Sequence, residues 1–342
     1  MPFLTVAIPT HNRVQTLKKV LDQLSREKNQ AFTIQVCDNA SSDETEKVVR
    51  NLQKNMNNLK YHRNERNLGS WGNLFNLYKL ANTRYVWFLS DDEEVIPGAI
   101  DAILFSLNKY QPAVALFNHI KIDPYGRRLT DGISKDTFFD DISKLEDYGK
   151  LLRAGFLSII VLEKRILPDV VKEQYVKNNY YFQMTLVLLI LSDKFKFCEI
   201  ASPVVFRNTG YVSGDFFKFI ITDLLESVFI VDSYFDNKKF IESAKKQIPK
   251  ALMLYLSQKL GLFKFHNRLS IVTVKRIFRY YGLSSFLILS FPIVSYLIPG
   301  FMLKFVYKVR LQRIHGKKKG IMIYKQNLNR SSRFNRSSGH LS

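Results

Sequence analysis

A chain of 342 residues that is 46% hydrophobic has material for one large domain or two smaller ones. Its two cysteines, Cys37 and Cys198, lie far apart in apolar runs, which excludes a disulfide framework or a cysteine metal cluster. The net charge of +21 is uneven: residues 1–215 hold 28 Lys/Arg against 25 Asp/Glu (+3), and residues 216–342 hold 23 against 5 (+18). Met1-Pro2-Phe3-Leu4 enters an apolar run without a basic n-region or long h-region, so no secretory signal is expected and the thiols are expected reduced in the cytosol.

Phe3 to Pro9 predicts a short strand, closed by Pro9 and followed by Thr10-His11-Asn12-Arg13. Leu17, Val20, Leu21 and Leu24 have helical spacing and predict a helix from Val14 to about Arg26. Phe32 to Cys37 predicts a second strand, stopped by Asp38-Asn39-Ala40-Ser41-Ser42-Asp43, where Ser42 or Asp43 can cap the next helix. A short strand at Leu59 to Arg63 follows, then the loop Asn64 to Gly69 and a helix from Ser70 to Asn82.

Tyr85-Val86-Trp87-Phe88-Leu89 then runs into Ser90-Asp91-Asp92-Glu93-Glu94. Four successive carboxylates at the end of a buried strand repel one another. A hard divalent cation resolves this, because it takes carboxylate oxygens and also carries substrate phosphates. The alternative is an acidic first turn for the helix beginning near Pro97-Gly98. A helix from Gly98 to Tyr110 and strands at Ala113 to Ile122, Phe156 to Leu162 and Phe195 to Phe206 complete the half, with a turn at Asp123-Pro124-Tyr125-Gly126 and an apolar helix around Phe182 to Leu191. This alternation predicts an α/β fold with a mostly parallel sheet flanked by helices.

From Phe216 the pattern turns helical and basic, and no acidic residue follows Glu242. The span Tyr280 to Leu303 is uncharged and long enough to cross a bilayer, but Pro292, Pro299, Gly300 and four serines interrupt it. A kinked, re-entrant or interfacial segment fits as well as a clean span. Lys275, Arg276 and Arg279 precede it; Lys304, Lys308, Arg310, Arg313 and Lys317-Lys318-Lys319 follow. Apolar segments flanked by cations suit an anionic cytoplasmic leaflet better than nucleic acid, which wants a solvated reading face. A buried helical hairpin is the competing reading. The expected division is a domain at 1–215, a basic helical region at 216–279, a membrane-associated segment at 280–326 and a disordered tail at 327–342.

Three loops at strand ends carry what a nucleotide needs. Thr10, Asn12 and Arg13 offer a hydroxyl, an amide and a cation beside a helix N-terminus, suited to a diphosphate. Asp38 offers an acceptor for a base N–H, with small residues beside it, and Asn64 to Gly69 adds glycine and a further cation, Arg66. Each alone also reads as turn and cap chemistry.

In order and spacing, Val6-Ala7-Ile8-Pro9-Thr10-His11-Asn12-Arg13, Val36-Cys37-Asp38-Asn39-Ala40-Ser41-Ser42-Asp43, Asn67-Leu68-Gly69 and Phe88-Leu89-Ser90-Asp91-Asp92 resemble the family-2 glycosyltransferases of the GT-A fold over roughly residues 3–122. The resemblance implies that Pro9, Thr10, Asn12, Arg13, Asp38, Asn39, Ser42, Asn67, Gly69 and Asp91 bind a nucleotide-sugar donor. Asp38 would contact the base, Asp91 the ribose, and Asp92 a Mn2+ or Mg2+ ion. It further implies one displacement with inversion and a Glu-Asp pair opening the helix before the last strands. The matching positions fall near Phe182-Gln183, and an amide cannot act as a base. Gln183 would then orient the acceptor, and Asp131, Asp193 and Asp215 are the candidate bases.

The expected protein is a metal-dependent transferase at the cytoplasmic face of the membrane, peripheral or monotopic, acting on a polyprenyl-linked glycan in bacterial polysaccharide synthesis. A soluble transferase with another acceptor and a non-catalytic nucleotide-binding scaffold are the alternatives. A nucleotidyltransferase would carry a glycine-rich, basic N-terminal loop, which the sequence lacks.

Overall fold

The computed structural model describes residues 2–122, 128–130, 133–142, 149–165, 182–207, 227, 238 and 240–243. Strands and helices alternate as expected: β1 (Leu4–Thr10), α1 (Val14–Ser25), β2 (Phe32–Asp38), α2 (Thr45–Leu52), β3 (Leu59–Arg63), α3 (Gly69–Leu80) and β4 (Tyr85–Phe88). Next come β5 (Glu94–Val95), α4 (Ala99–Tyr110), β6 (Val114–Ile122), β7 (Arg128–Thr130), β8 (Thr137–Phe139), the single turn α5 (Gly149–Leu152), β9 (Ile160–Glu163), α6 (Phe182–Asp193) and β10 (Phe197–Arg207).

One sheet runs in the order β3-β2-β1-β4-β9-β6-β10-β5, with β7 beside β6 and β8 beside β10. β1, β2, β3, β4, β6 and β10 point one way; β9 and β5 run against them. All their carboxyl ends therefore reach one edge of the sheet, where open α/β folds keep their ligands. β1 and β2 each have a strand on both sides and are buried along nearly their whole length, as strands covered on both faces must be. Pro9 is tolerated there because β4 pairs with β1 only as far as Ala7↔Phe88, so its missing N–H breaks no ladder bond on that side.

α1 buries Leu17, Val20, Leu21 and Leu24 against the sheet face that also takes Val49 of α2 and Ile100, Ile103 and Leu107 of α4. Each such side chain contributes about 1.5–3 kcal/mol. α3 and α6 pack against each other and are buried with Phe75, Tyr78 and Phe182. The Phe75 and Phe182 rings meet edge to face at 5.7 Å. From Phe182 to Ser192 every residue of α6 is buried, and Ser227 helps to enclose it, with Thr185 Oγ1 2.8 Å from Ser227 Oγ; just beyond the helix the Phe195 ring lies 6.4 Å from that of Phe240.

The segment expected as one strand from Phe156 divides. Leu157–Ile159 forms a 3-10 turn and only Ile160–Glu163 is extended. The turn places Ser158 beneath β4, where its carbonyl accepts the Trp87 indole N–H (2.9 Å) and its hydroxyl accepts the Ser90 N–H (3.1 Å). Both cysteines are buried free thiols, pushed up to about 12 by burial.

All the described residues fall within one compact unit, Met1–Ala244. The turn at 123–126, the apolar segment 280–326 and the tail 327–342 lie outside the described residues, as does most of 216–279. Among the described residues no helix is long and apolar enough to cross a membrane.

Candidate active site

The four carboxylates after β4 part company. Asp91 and Asp92 sit in the turn at the sheet edge, whereas Glu94 enters β5, exposed and paired with Phe206. None of the four caps α4. Gly98 precedes that helix with a φ of +84° that suits glycine, and Glu27 accepts the Gly98 N–H at 3.1 Å. Burial pushes the Glu27 carboxyl above its ordinary range.

Thr10 Oγ1, at the end of β1, donates to Asp91 Oδ2 (2.7 Å), and Ser90 Oγ donates to Asp92 Oδ1 (2.7 Å). Arg13 Nη1 donates to the remaining oxygen of each: 3.1 Å to Asp91 Oδ1 and 2.8 Å to Asp92 Oδ2. Burial raises the pKa of Asp91, with Thr10 and Arg13 pulling it back. For Arg13, burial works against the charge, and the two carboxylates more than offset it, so its pKa rises. Among the described residues no cluster of three His, Cys, Asp or Glu side chains forms a metal cage. Two carboxylates suffice for Mg2+ or Mn2+ that completes its shell with water and substrate phosphates. The donor set fits such an ion.

The three loops are tied together behind this pair. Asn12 takes a left-handed conformation (φ +52°), as does Ala40 (φ +60°). The Asn12 N–H donates to Ser41 Oγ at 2.9 Å, and Asn12 Oδ1 accepts the Ser42 N–H at 2.7 Å. Asn39 Nδ2 donates to Asn67 Oδ1 (2.7 Å), and Asn39 Oδ1 accepts from Asn64 Nδ2 (3.1 Å) and the Leu68 N–H (2.9 Å). Asn67 Nδ2 lies 3.2 Å from His11 Nε2, closing the ring back to the first loop. Gly69, at φ +74°, opens α3 and donates its N–H to Asn67 Oδ1 at 2.8 Å. Asp43 Oδ2 accepts the Val14 N–H at the start of α1 (3.0 Å), and its Oδ1 accepts the Thr45 N–H at the start of α2 (3.1 Å). One carboxylate thus serves two helix N-termini.

Asp38 stands apart from the exposed donors. It is fully buried at the end of β2; Oδ1 accepts from the Ser41 N–H (2.9 Å) and hydroxyl (2.5 Å), and Oδ2 accepts from Tyr61 OH (2.6 Å). Sequence reasoning found Asp38 but missed Tyr61 and Ser41. The Ser41 contact is local to the loop, three residues on from Asp38, whereas that of Tyr61 follows from the parallel β2–β3 pairing, Val36↔Tyr61 and Asp38↔Arg63, which no local motif announces.

Gln183 lies in the first turn of α6, buried, and its Oε1 has no partner among the described residues. α6 ends just before β10 begins at the amino-end edge of the sheet, so its first turn is on the side of Asp91. Asp193 closes the same helix at the opposite edge. It is half exposed, 3.9 Å from Arg165, and is not brought to the carboxylate pair. Asp131 and Asp215 lie outside the described residues.

The fold is that of the GT-A glycosyltransferases, and comparison with known proteins agrees. The glycosyl transferase family 2 model matches residues 5–160. A GalNAc(5)-diNAcBac-PP-undecaprenol beta-1,3-glucosyltransferase of Campylobacter jejuni is 36% identical over 221 residues, covering 63% of this chain and 68% of the relative. The abequosyltransferase RfbV of Salmonella typhimurium is 33% identical over 100 residues, 28% of this chain and 30% of that protein. Among solved structures, S. aureus TarS 1-349 superposes with a TM-score of 0.59 at 14% identity over 98% of this chain and 91% of that one. The mannosyltransferase PcManGT of Pyrobaculum calidifontis, in complex with GDP-Man and Mn2+, reaches 0.50 at 15% identity over 84% and 85% of the two chains. The chain belongs to glycosyltransferase family 2.

Proposed function

We propose that the chain transfers a sugar from a nucleoside-diphosphate donor to a hydroxyl of a polyprenyl-diphosphate-linked oligosaccharide during bacterial surface-polysaccharide assembly, such as O-antigen or capsule. The observation that carries this is the convergence of three knotted loops and the Asp91–Asp92 pair at the carboxyl ends of β1 to β4. The Campylobacter relative, a transferase named for a PP-undecaprenol-linked substrate, supports the acceptor class.

In this reading Arg13 and the adjoining start of α1 face the diphosphate. Pro9, Asn12, Asn39, Ser42, Asn67 and Gly69 shape the wall for the nucleoside, and Asp38 acts on that wall from beneath, through Ser41 and Asn12. Asp91 serves the ribose and Asp92 holds Mn2+ or Mg2+. When bound, that ion neutralises charge building on the departing diphosphate. The acceptor hydroxyl attacks the anomeric carbon from the face opposite the diphosphate, so the configuration inverts, and a carboxylate takes its proton. Asp131 and Asp215 are the candidates for that base, with Gln183 orienting the acceptor; Asp193 is at the wrong edge of the sheet. The cationic C-terminal region would hold the enzyme at the cytoplasmic membrane surface, peripherally or monotopically, beside its lipid-linked acceptor.

The amide of Gln183, near the place where the family resemblance implies a carboxylate, favours one second reading, a nucleotide-binding protein without turnover. The discriminating experiment incubates the detergent-purified full chain with UDP-, GDP-, CDP- and dTDP-sugars and a polyprenyl-diphosphate-linked oligosaccharide. The expected result is an acceptor one sugar heavier with a single donor class. Donor binding without any extended acceptor would support the second reading.

A further inference from the structure

Asp91 and Asp92 present four oxygens, and two are spent on fixed hydroxyls: Asp91 Oδ2 on Thr10 and Asp92 Oδ1 on Ser90. The two oxygens left, Asp91 Oδ1 and Asp92 Oδ2, converge on a single nitrogen, Arg13 Nη1. A divalent ion held by Asp92 needs the Oδ2 oxygen that this nitrogen occupies. Asp91 is buried at 5% exposure and Asp92, 35% exposed, is held by Ser90, whereas the Arg13 side chain is 48% exposed. Among the described residues the guanidinium has no acceptor besides these two carboxylates. It is tethered only at the oxygens it would have to release.

From this arrangement we infer that Arg13 is a resident counter-cation which keeps the metal position closed until a nucleoside diphosphate arrives. The inference rests on the assignment of Asp92 to the metal. A guanidinium and a divalent ion cannot share Asp92 Oδ2 without strong repulsion at contact distance. The diphosphate supplies another anion for the guanidinium, whose planar fork suits phosphate oxygens. Arg13 stands at the start of α1, where N–H groups also favour an anion, so a side-chain rotation is enough to carry its charge from carboxylate to phosphate. Metal and nucleotide then enter as coupled ligands, each raising the affinity for the other. Free divalent ions would be kept off Asp92, and the donor-free site would keep its anions paired.

The test measures Mn2+ binding to the full chain from the electron paramagnetic resonance signal of free Mn2+, first with Mn2+ alone and then with UDP, GDP, CDP or dTDP. Arg13→Gln should bind Mn2+ alone about five-fold or more tightly than wild type, since the competing cation is gone. The same variant should lose much of the enhancement by nucleotide, while Arg13→Lys, which keeps a cation, should stay near wild type. Thermal melting checks that each variant is folded. Equal Mn2+ affinity in wild type and Arg13→Gln without nucleotide, weaker binding by Arg13→Gln, or no binding by either, would overturn the inference. Asp92→Ala separates the two levels of the argument. If, with nucleotide present, it binds Mn2+ as wild type does, the metal assignment itself fails. If it loses Mn2+ while Arg13→Gln matches wild type, only the counter-cation role fails.

Discussion

At the scale of single residues, Asp38 repays attention because its carboxylate has no exposed surface and receives donors from two directions, Ser41 and Tyr61. Burial and the neighbouring Asp38 carboxylate both push the Tyr61 hydroxyl well above its ordinary range, so it stays a donor at any physiological pH. Tyr61→Phe removes that donor and leaves Asp38 Oδ2 facing only Arg63 Nε, 3.9 Å away. The expected cost is about 1–3 kcal/mol in urea unfolding, because a buried acceptor loses its partner. Donor affinity should fall as well, through loss of the Asp38–Ser41–Asn12 order; an unchanged unfolding midpoint would show that the contact contributes little. The chain itself made Asp91 and Asp92 legible, since a strand of Tyr, Val, Trp and Phe cannot tolerate free carboxylates at its end without a counter-charge. Tyr61 was not legible, because its partner is set by inter-strand register.

At the scale of elements, α3 depends on a residue outside it. Its last carbonyls, with that of Ala81, surround Lys164 Nζ: it donates to Tyr78 O, to Lys79 O at 3.2 Å and to Ala81 O at 2.7 Å, and it lies 4.6 Å from the centre of the Tyr78 ring. A cation at a helix C-terminus meets the negative end of the dipole. Lys164→Met should therefore lower stability by about 1–3 kcal/mol by leaving those carbonyls unpartnered. Burial also lowers the Lys164 ammonium from 10.5 to about 8. A folded pKa below the unfolded one means the buried charge opposes folding below pH 8, and this opposition fades as pH rises from 8 towards 10.5. The stability of wild type relative to Lys164→Met should accordingly grow over that interval; a flat difference would contradict the shift. Helical periodicity made α1 and α4 readable. The 3-10 turn at Leu157–Ile159 was hidden, since Phe156 to Leu162 is apolar enough for a strand and only the needs of Trp87 and Ser90 break it.

At the scale of the whole molecule, the dominant feature is the charge difference between +3 in residues 1–215 and +18 in residues 216–342. The alternating first part disclosed its sheet because every helix covers a strand-rich face, although the antiparallel insertion of β9 between β4 and β6 has no local signature. For the basic part the expectation is association with anionic lipid, at about 1 kcal/mol for each cation near the surface. In vesicle flotation, the full chain should rise with vesicles containing phosphatidylglycerol and remain below with phosphatidylcholine alone at low salt. Added salt should weaken the surface-charge contribution. Equal recovery with both lipids, or with neither, would contradict an electrostatic membrane contact.

The central claim concerns metal-assisted use of a sugar nucleotide by the Asp91–Asp92 pair, and donor turnover tests it most directly. Detergent-purified wild type and Asp92→Ala should be compared on UDP-, GDP-, CDP- and dTDP-sugars with Mn2+ and with chelator, in the presence of lipid-linked acceptor. The account predicts Mn2+-dependent release of one nucleoside diphosphate by wild type, falling about 100-fold or more in Asp92→Ala, as expected when charge stabilisation on the leaving group is lost. Nucleotide binding that is indifferent to Mn2+ and to the substitution, without turnover of any donor, would contradict it.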